Sequence, residues 1–343
     1  LGRQSAAHYI GSQDDGNYCT NGDYCVSPSH HMEGLVIMDV PDVFDVCYID
    51  CDLVKYRSSF SVEKTYYHLY DEEGSFVDEY SNAKTANEYL RELSEFFMID
   101  TSGYYKVPDK RIGEEQQAKD ACDLILKSIK EDCPAKVYKL YLTGDDSYRH
   151  SVATIHKYKG DRADTKNPKW IDSVEQHIVN VHGAEFVDYI ECDDYMTTGL
   201  WDCYRKGLVG VAANLDKDVH QAPLWHYNWV KRSFKYVTPE EGLLWCYTQA
   251  CAGDMSVDNY EGIPRIGVVK AGKILEGCNS EREMYEASVE AYRKHFGDVH
   301  EYVTWYGETI EKTAEELFLE NMKLAYMLKT EGEYYKVPEE DKE

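Results

Sequence analysis

The stretch EFVDYIECDDYMTTGLWDCYRKGLVGVAANLDKD, residues 185–218, carries the reading of the fold. Residues 185–190 read as a strand, 192–206 as a helix, and 208–215, a Val/Ala/Leu run, as a central parallel strand. Each strand runs into acids: Glu191, Asp193 and Asp194 after the first, Asp216 and Asp218 after the second. Working outward, residues 46–49 form a short apolar strand ending at Asp50 and Asp52. A helical period over 114–132 closes at Pro134, and a strand over 136–142 leads to Asp145 and Asp146. Residues 171–181 are helical. Strands separated by helices predict an α/β fold with a mostly parallel sheet. Ligands of such sheets sit outside the carboxyl ends of the strands, where acids stand four times over.

Past Pro239 the pattern changes. A helix is expected over 240–251, turns over 253–267, a helix from 270 to 275, and amphipathic helices over 281–296 and 310–328. The tail after Thr330 is acidic and reads as frayed. The pentapeptide Tyr-Tyr-Lys-Val-Pro at 104–108 returns at 334–338 with unmatched flanks, which reads as coincidence.

Among the 343 residues, 37 Lys and Arg face 63 Asp and Glu, a net charge of −26. That argues against non-specific adhesion to nucleic acid or anionic membrane. No apolar run has the roughly 18 residues of a membrane span, so a soluble, cytoplasmic protein is expected. Eleven cysteines without regular spacing read as reduced thiols. Cys19, Cys25, His30 and His31 could ligate zinc, but the Gly/Asn/Asp/Ser-rich surroundings read as a flexible leader over residues 1–40.

Clustered carboxylates repel one another unless a cation is bound. Hard oxygen ligands in this number suit Mg²⁺ or Mn²⁺, and two such ions can support phosphodiester hydrolysis. A lone Asp at a strand end is more often a cap; Glu-Cys-Asp-Asp followed by Leu-Asp-Lys-Asp reads as a metal site. The segment from Arg149 to Lys169 has a net charge of +4 and suggests phosphate contact, with Tyr158 beside Lys159 able to stack on a base. Lys231–Lys235 is a second basic patch or the end of a surface strand. The chain has no Gly-x-Ser-x-Gly elbow, no Gly-x4-Gly-Lys-Ser/Thr loop and no Gly-x-Gly-x-x-Gly after a strand. His220 and His226 read as structural.

The ordered blocks Glu191-Cys192-Asp193-Asp194, Asp216-Lys217-Asp218, Gly253-Asp254, Asp258-Asn259, Gly262-Ile263-Pro264-Arg265-Ile266-Gly267 and Lys270-Ala271 resemble the signature of the 5′-nuclease family. That family comprises flap endonucleases, bacteriophage 5′–3′ exonucleases and the 5′-nuclease domains of bacterial polymerases. Tyr48-Ile49-Asp50-Cys51-Asp52 with Arg57 resembles its opening strand and phosphate-binding Arg, and Tyr158-Lys159-Gly160-Asp161-Arg162 its arch motif. The blocks run in order from about Val46 to Leu275.

The resemblance implies a PIN-like α/β nuclease core over 41–236, with an arch at about 147–170. It implies a helix–hairpin–helix module over 237–300 and a C-terminal helix and tail over 301–343. Asp50, Asp145, Glu191, Asp193 and Asp194 would hold or support one metal, and Asp216, Asp218, Asp254 and Asp258 a second. Lys159 and Arg162 would orient and polarise the scissile phosphate beside Asp50, Asp193 and Asp216. Arg57, Arg149, Tyr158, Gly262, Arg265, Gly267 and Lys270 would touch DNA, the hairpin with a bound K⁺. Two departures stand out: Asp254 and Asp258 are four apart rather than three, and Arg265 stands where the family prefers Gly.

The expected activity is metal-dependent hydrolysis of DNA at 5′ ends, flaps or duplex junctions in replication or repair, by a monomer of phage type working in the host cytoplasm. RNA–DNA hybrid is a further substrate, and no membrane partner is expected. The alternatives are a non-catalytic binder of branched DNA and a PIN-type ribonuclease. The hairpin block favours duplex DNA over the latter.

Overall fold

The computed structural model describes residues 39–160, 166–255 and 258–340. A six-stranded sheet forms its centre, in the order β6-β5-β1-β7-β8-β9. These strands are β1 Phe44–Asp50, β5 Ala135–Ser147, β6 Glu185–Tyr189, β7 Gly210–Ala213, β8 Leu224–Asn228 and β9 Ser233–Val237. The first five are parallel and β9 runs antiparallel to β8. The fold is mixed α/β with a mostly parallel central sheet. Every side chain of β7 is buried, as its continuous apolar run requires. From β1 the chain steps outward through β5 and β6, then returns to the other side of β1 as β7. That reversal is the switch point at which parallel sheets bind ligands.

Helices cover both faces. Helices α1 (Cys51–Ser61), α3 (Glu115–Asp132) and α5 (Ile171–His182) bury Val54, Cys122, Leu126, Val174 and Ile178 against Phe44, Ile49 and Leu142. On the opposite face α6 (Cys192–Lys206) packs Met196, Leu200 and Cys203 against Tyr48, Tyr141 and Ala212. Gly199 makes that approach possible: a Cβ there would lie 2.4 Å from the Tyr48 ring.

Between α1 and α3 lies a unit that no strand pattern in the sequence announces. It holds β2 (Glu63–Tyr70), β3 (Phe76–Tyr80), α2 (Ala83–Phe96) and β4 (Tyr105–Ile112), with sheet order β3-β2-β4. The short helix α4 is Arg149–Val152. It is the described helix in the region expected as an arch, of which residues 161–165 lie outside the described set.

A second core gathers Tyr247, Cys251, Tyr285, Tyr292 and Phe318 from α7 (Pro239–Ala252), α9 (Glu281–Phe296) and α10 (Ala314–Ala325). The expected helix over 310–328 is corrected here. Residues Thr309–Thr313 form β13, antiparallel to β12 (Val299–Val303), and the helix starts only where the Thr313 side chain caps Glu316 N–H. The frayed tail is also corrected. Leu328 is fully buried, Tyr335 is buried with its hydroxyl 2.9 Å from that of Tyr247, and Arg282 donates to Pro338 O. The two Tyr-Tyr-Lys-Val-Pro copies differ in structure: the first enters β4, and the second lies outside regular structure.

Nine described cysteines are free thiols, eight of them buried. The Cys19/Cys25/His30/His31 cluster lies outside the described residues.

Candidate metal and phosphate site

The carboxyl ends of β1, β6 and β7 bring acids together. Asp50 ends β1 and caps α1, accepting from Asp52 N–H at 2.9 Å and Leu53 N–H at 3.2 Å. Burial, then the nearby Asp52 and Asp216, push its carboxyl up to about 7. Asp193, in the first turn of α6, has an Oδ1 sealed from solvent and without a hydrogen-bond partner. Burial, then Asp50, Asp216 and Glu191, hold it well above the usual carboxylate range. Asp218, in a 3-10 turn after β7, is likewise raised by burial and by Asp216, Asp258 and Asp254. Asp216 thus belongs to two groups, one with Asp50 and Asp193, the other with Asp218, Asp254 and Asp258.

These donors fit a hard divalent cation. They are carboxylate oxygens, they destabilise one another while ionised, and one of them is buried without a partner. Cys192 Sγ lies 3.8 Å from Asp50 Oδ1, and burial and Asp50 push its thiol up, so it stays protonated beside the acids.

Other acids of the expected set have different work. Asp194 is fully buried and receives Arg149 in a two-pronged pair at 2.6 and 2.9 Å, along with Leu328 N–H at 3.2 Å. It is a structural anchor, a correction to its expected role as a ligand. Arg149 is corrected with it: fully buried, it also donates to Leu324 O at 3.0 Å and Tyr326 O at 2.7 Å, and has no surface to offer DNA. Glu191 accepts from Lys159 Nζ at 2.5 Å, Tyr158 hydroxyl at 3.0 Å and Arg149 at 3.4 Å. Burial opposes its charge, yet Lys159 and Arg149 prevail and pull it down to about 2. Its oxygens are therefore committed, and its part is to support the centre. Tyr158 is buried beneath Lys159, with the ammonium 5.0 Å from the ring centre, and cannot stack on a base as expected.

Lys159 is the cation of the centre. It sits at φ +52°, its N–H bonds to Asp258 O at 3.2 Å, and its Nζ lies 3.9 Å from Asp258 Oδ1. Asp254, in β10 (Gly253–Asp254), which pairs with β11 (Tyr260–Glu261), faces Lys217 Nζ at 3.8 Å. Arg57 is exposed on α1, over the Trp229 ring at 5.6 Å. The side chain of Asp145, and all of Arg162, lie outside the described set.

Arg265 and Gly267 in the hairpin before α8 (Val268–Ile274), and Lys270 in the first turn of α8, are exposed. Arg265 stands at φ +65°, a left-handed conformation that favours glycine, so the backbone fits the expected Gly and holds the Arg at a cost in strain. Lys270 Nζ donates to Arg265 O at 3.0 Å, so that carbonyl already has a cationic partner. Gly262 is corrected: a Cβ there would lie 2.3 Å from Gly253 N and 2.5 Å from Cys251 O, so it serves close packing against the end of α7.

Sequence reasoning missed the supporting residues. Thr143 donates its N–H to Asp52 Oδ2 and accepts Cys192 N–H, tying three strand ends together at 3.0 Å each. Gln249 on α7 donates to Asp218 Oδ1. Lys55 bridges Asp52 at 3.2 Å and Glu175 at 2.6 Å. These partners lie 31 to 120 residues apart, apart from the Lys55–Asp52 pair, and no local spacing announces them. His226 is buried with Nε2 3.0 Å from Ala222 O, and burial lowers it to about 4.

No protein-family model matches the chain, and no curated protein matches it in sequence. Three solved structures to which the chain is similar come from bacteriophage T5. One is a T5 D15 protein co-crystallised with metal ions, at TM-score 0.49 and 11% identity over 82% of this chain and 89% of that one. Another is a T5 5′-exonuclease with zinc bound, at 0.46 and 13% over 60% and 80%. The third is a D15 flap endonuclease variant with DNA and metal ions, at 0.45 and 13% over 60% and 80%.

Proposed function

We propose that the chain is a divalent-metal-dependent nuclease that hydrolyses DNA phosphodiesters at 5′ ends or flaps, on duplex junctions. One observation carries this reading: Asp50, Asp193 and Asp216 converge at the switch point of a parallel sheet, with Asp193 Oδ1 buried and unpartnered beside Lys159. Asp50, Asp193 and Asp216 would hold one Mg²⁺ or Mn²⁺ ion, and Asp216, Asp218, Asp254 and Asp258 a second. Bound there, the ions supply a more acidic water and charge to stabilise the leaving oxygen.

The protein's own groups do the rest. Lys159, tethered by Glu191, is a movable ammonium at the rim of the acids; a phosphate arriving there offers it a competing anion. Arg162 would add a second cation to that phosphate. Arg57, Arg265, Lys270 and the Gly267 backbone would hold duplex away from the reacting bond, giving affinity that falls steeply with salt. Glu191 and Asp194, fixed by Arg149, keep the start of α6 and therefore Asp193 in place.

The test is a 5′-flap duplex labelled at its 3′ end, incubated with Mg²⁺, with and without EDTA, beside Asp216→Ala. Cleavage near the junction that needs both metal and Asp216, with a loss of about 10²-fold or more in the variant, is expected. Tight binding without cleavage in Mg²⁺ and in Mn²⁺ overturns the catalytic reading and leaves a branched-DNA binder.

A further inference from the structure

On the face of the sheet covered by α3 and α5, Asp123, His177 and His182 converge. Both imidazole Nε2 atoms lie 2.7 Å from the same oxygen, Asp123 Oδ1, and the rings meet edge to face with centres 5.4 Å apart. His177 and His182 are mostly sheltered, at 14% and 17% side-chain exposure, while Asp123 is 45% exposed. The mouth of the cluster is therefore open on the carboxylate side. His182 is the last residue of α5, which Gly183 ends at φ +72°, so the second imidazole reaches α3 from the helix terminus.

Two features set the cluster apart from an ordinary surface ion pair. Lys119 and Lys127 stand one helical turn either side of Asp123, where helix geometry offers them as partners. Both turn away: Lys119 pairs with Glu115 at 2.7 Å and Lys127 with Glu131 at 3.9 Å. The Asp123 carboxylate is left to two imidazoles. Their Nε2 atoms and one carboxylate oxygen all lie within 4.8 Å of one another. Ligands about 2.0–2.1 Å from a tetrahedral ion lie about 3.3 Å apart, so the observed 2.7 Å separations need open by only a few tenths of an ångström.

We propose that Asp123, His177 and His182 form a second metal site that takes a borderline transition cation of the Zn²⁺ class, with water as the fourth ligand. Two imidazoles and one carboxylate match that class and not Mg²⁺, which prefers an all-oxygen shell. Binding replaces the two contacts to Asp123 Oδ1 with bonds from neutral Nε2 lone pairs, and any proton on an imidazole is released to solvent. The ion pins the end of α5 to the middle of α3, and both helices pack against α1, which Asp50 caps.

The test uses the full chain, stripped with EDTA and exchanged into millimolar Mg²⁺ to fill the oxygen sites, then titrated with Co²⁺. A tetrahedral nitrogen-ligated Co²⁺ gives a strong visible band that octahedral Co²⁺ on oxygens does not. Saturation of such a band near one equivalent, its displacement by Zn²⁺, and a Zn²⁺-induced rise in Tm are expected. His177→Ala and, separately, His182→Gln each weaken binding by about tenfold or more, whereas Asp193→Asn leaves the band intact. No band in the unaltered protein, a band that survives both histidine variants, or a band lost in Asp193→Asn overturns the proposal. Flap cleavage plays no part in these readouts, so the fate of the nuclease reading leaves this one untouched.

Discussion

Asp193 is the residue on which stability and the proposed chemistry pull apart. Its Oδ1 is shut from water with no donor to meet it, while Asp50 and Asp216 add like charge. Asp193→Asn removes that charge at nearly constant shape. In EDTA the variant is expected to melt higher, by roughly 2–4 °C for a gain of order 1 kcal/mol. In Mg²⁺ it is expected to lose cleavage by about 10²-fold or more. Thermal melts in both buffers check the first point, and the flap assay the second. An unchanged or lower Tm in EDTA would show that Asp193 is not strained by its neighbours. Asp194, one residue on, behaves oppositely: its charge is matched by Arg149 at 2.6 Å, and breaking such a buried pair costs about 3–5 kcal/mol.

At the scale of elements, the acids were legible because an apolar run marks a strand and the first carboxylates beyond it mark its end. Residues 185–218 carry both signals within one strand–helix–strand unit. The unit β2-β3-α2-β4 was not legible for a physical reason. Its strands are Tyr-rich with few buried side chains, as in β2 with its single fully buried residue Leu69, so neither strict alternation nor an apolar run marks them. Glu191 and Asp194 look like ligands in sequence because their cations, Lys159 and Arg149, lie more than 30 residues upstream. The junction of α7, β10 and the hairpin was read as phosphate-facing at Gly262 when the glycine answers to packing. A Cβ at Gly262 would meet backbone atoms of Cys251, Ala252 and Gly253, none of which can swing aside. Gly262→Ala is therefore expected to cost about 1–3 kcal/mol. It should also weaken duplex binding by displacing Arg265 and Lys270. Urea melts and a salt titration of duplex affinity measure the two effects; a variant with wild-type stability would refute the close-packing account.

For the whole molecule, the acid centre makes stability depend on pH and metal together. Asp50 is held at about 7, above its ordinary 3.8, so the folded state binds a proton that the unfolded state has shed between those values. Its contribution therefore falls as pH climbs from near 4 to about 7 and stays lost above. Asp193 and Asp218 are shifted the same way. Glu191, pulled down to about 2 from 4.5, contributes above 4.5 and is lost as pH falls through 2, outside the working window. Metal-free protein is thus expected to melt lower at pH 8 than at pH 5.5, with Mg²⁺ restoring more at pH 8, where the Asp50 carboxylate, held at about 7, is ionised to receive it. Calorimetry at the two pH values, with EDTA and with Mg²⁺, tests this; equal Mg²⁺ shifts at both would contradict it.

The clasp around Arg149 also sets an order of manufacture. Chains are synthesised from the amino end, and Asp50, Arg149, Glu191, Asp193 and Asp216 all precede the residues that complete the clasp. Leu324 O, Tyr326 O and Leu328 N–H, which hold Arg149 and Asp194, emerge more than 100 residues after Asp216. A nascent chain that has reached only Lys323 carries every acid of the centre but a buried guanidinium short of its main-chain acceptors. The wall behind Asp193 therefore closes only once residues 324–328 have been made, long after the acids it supports.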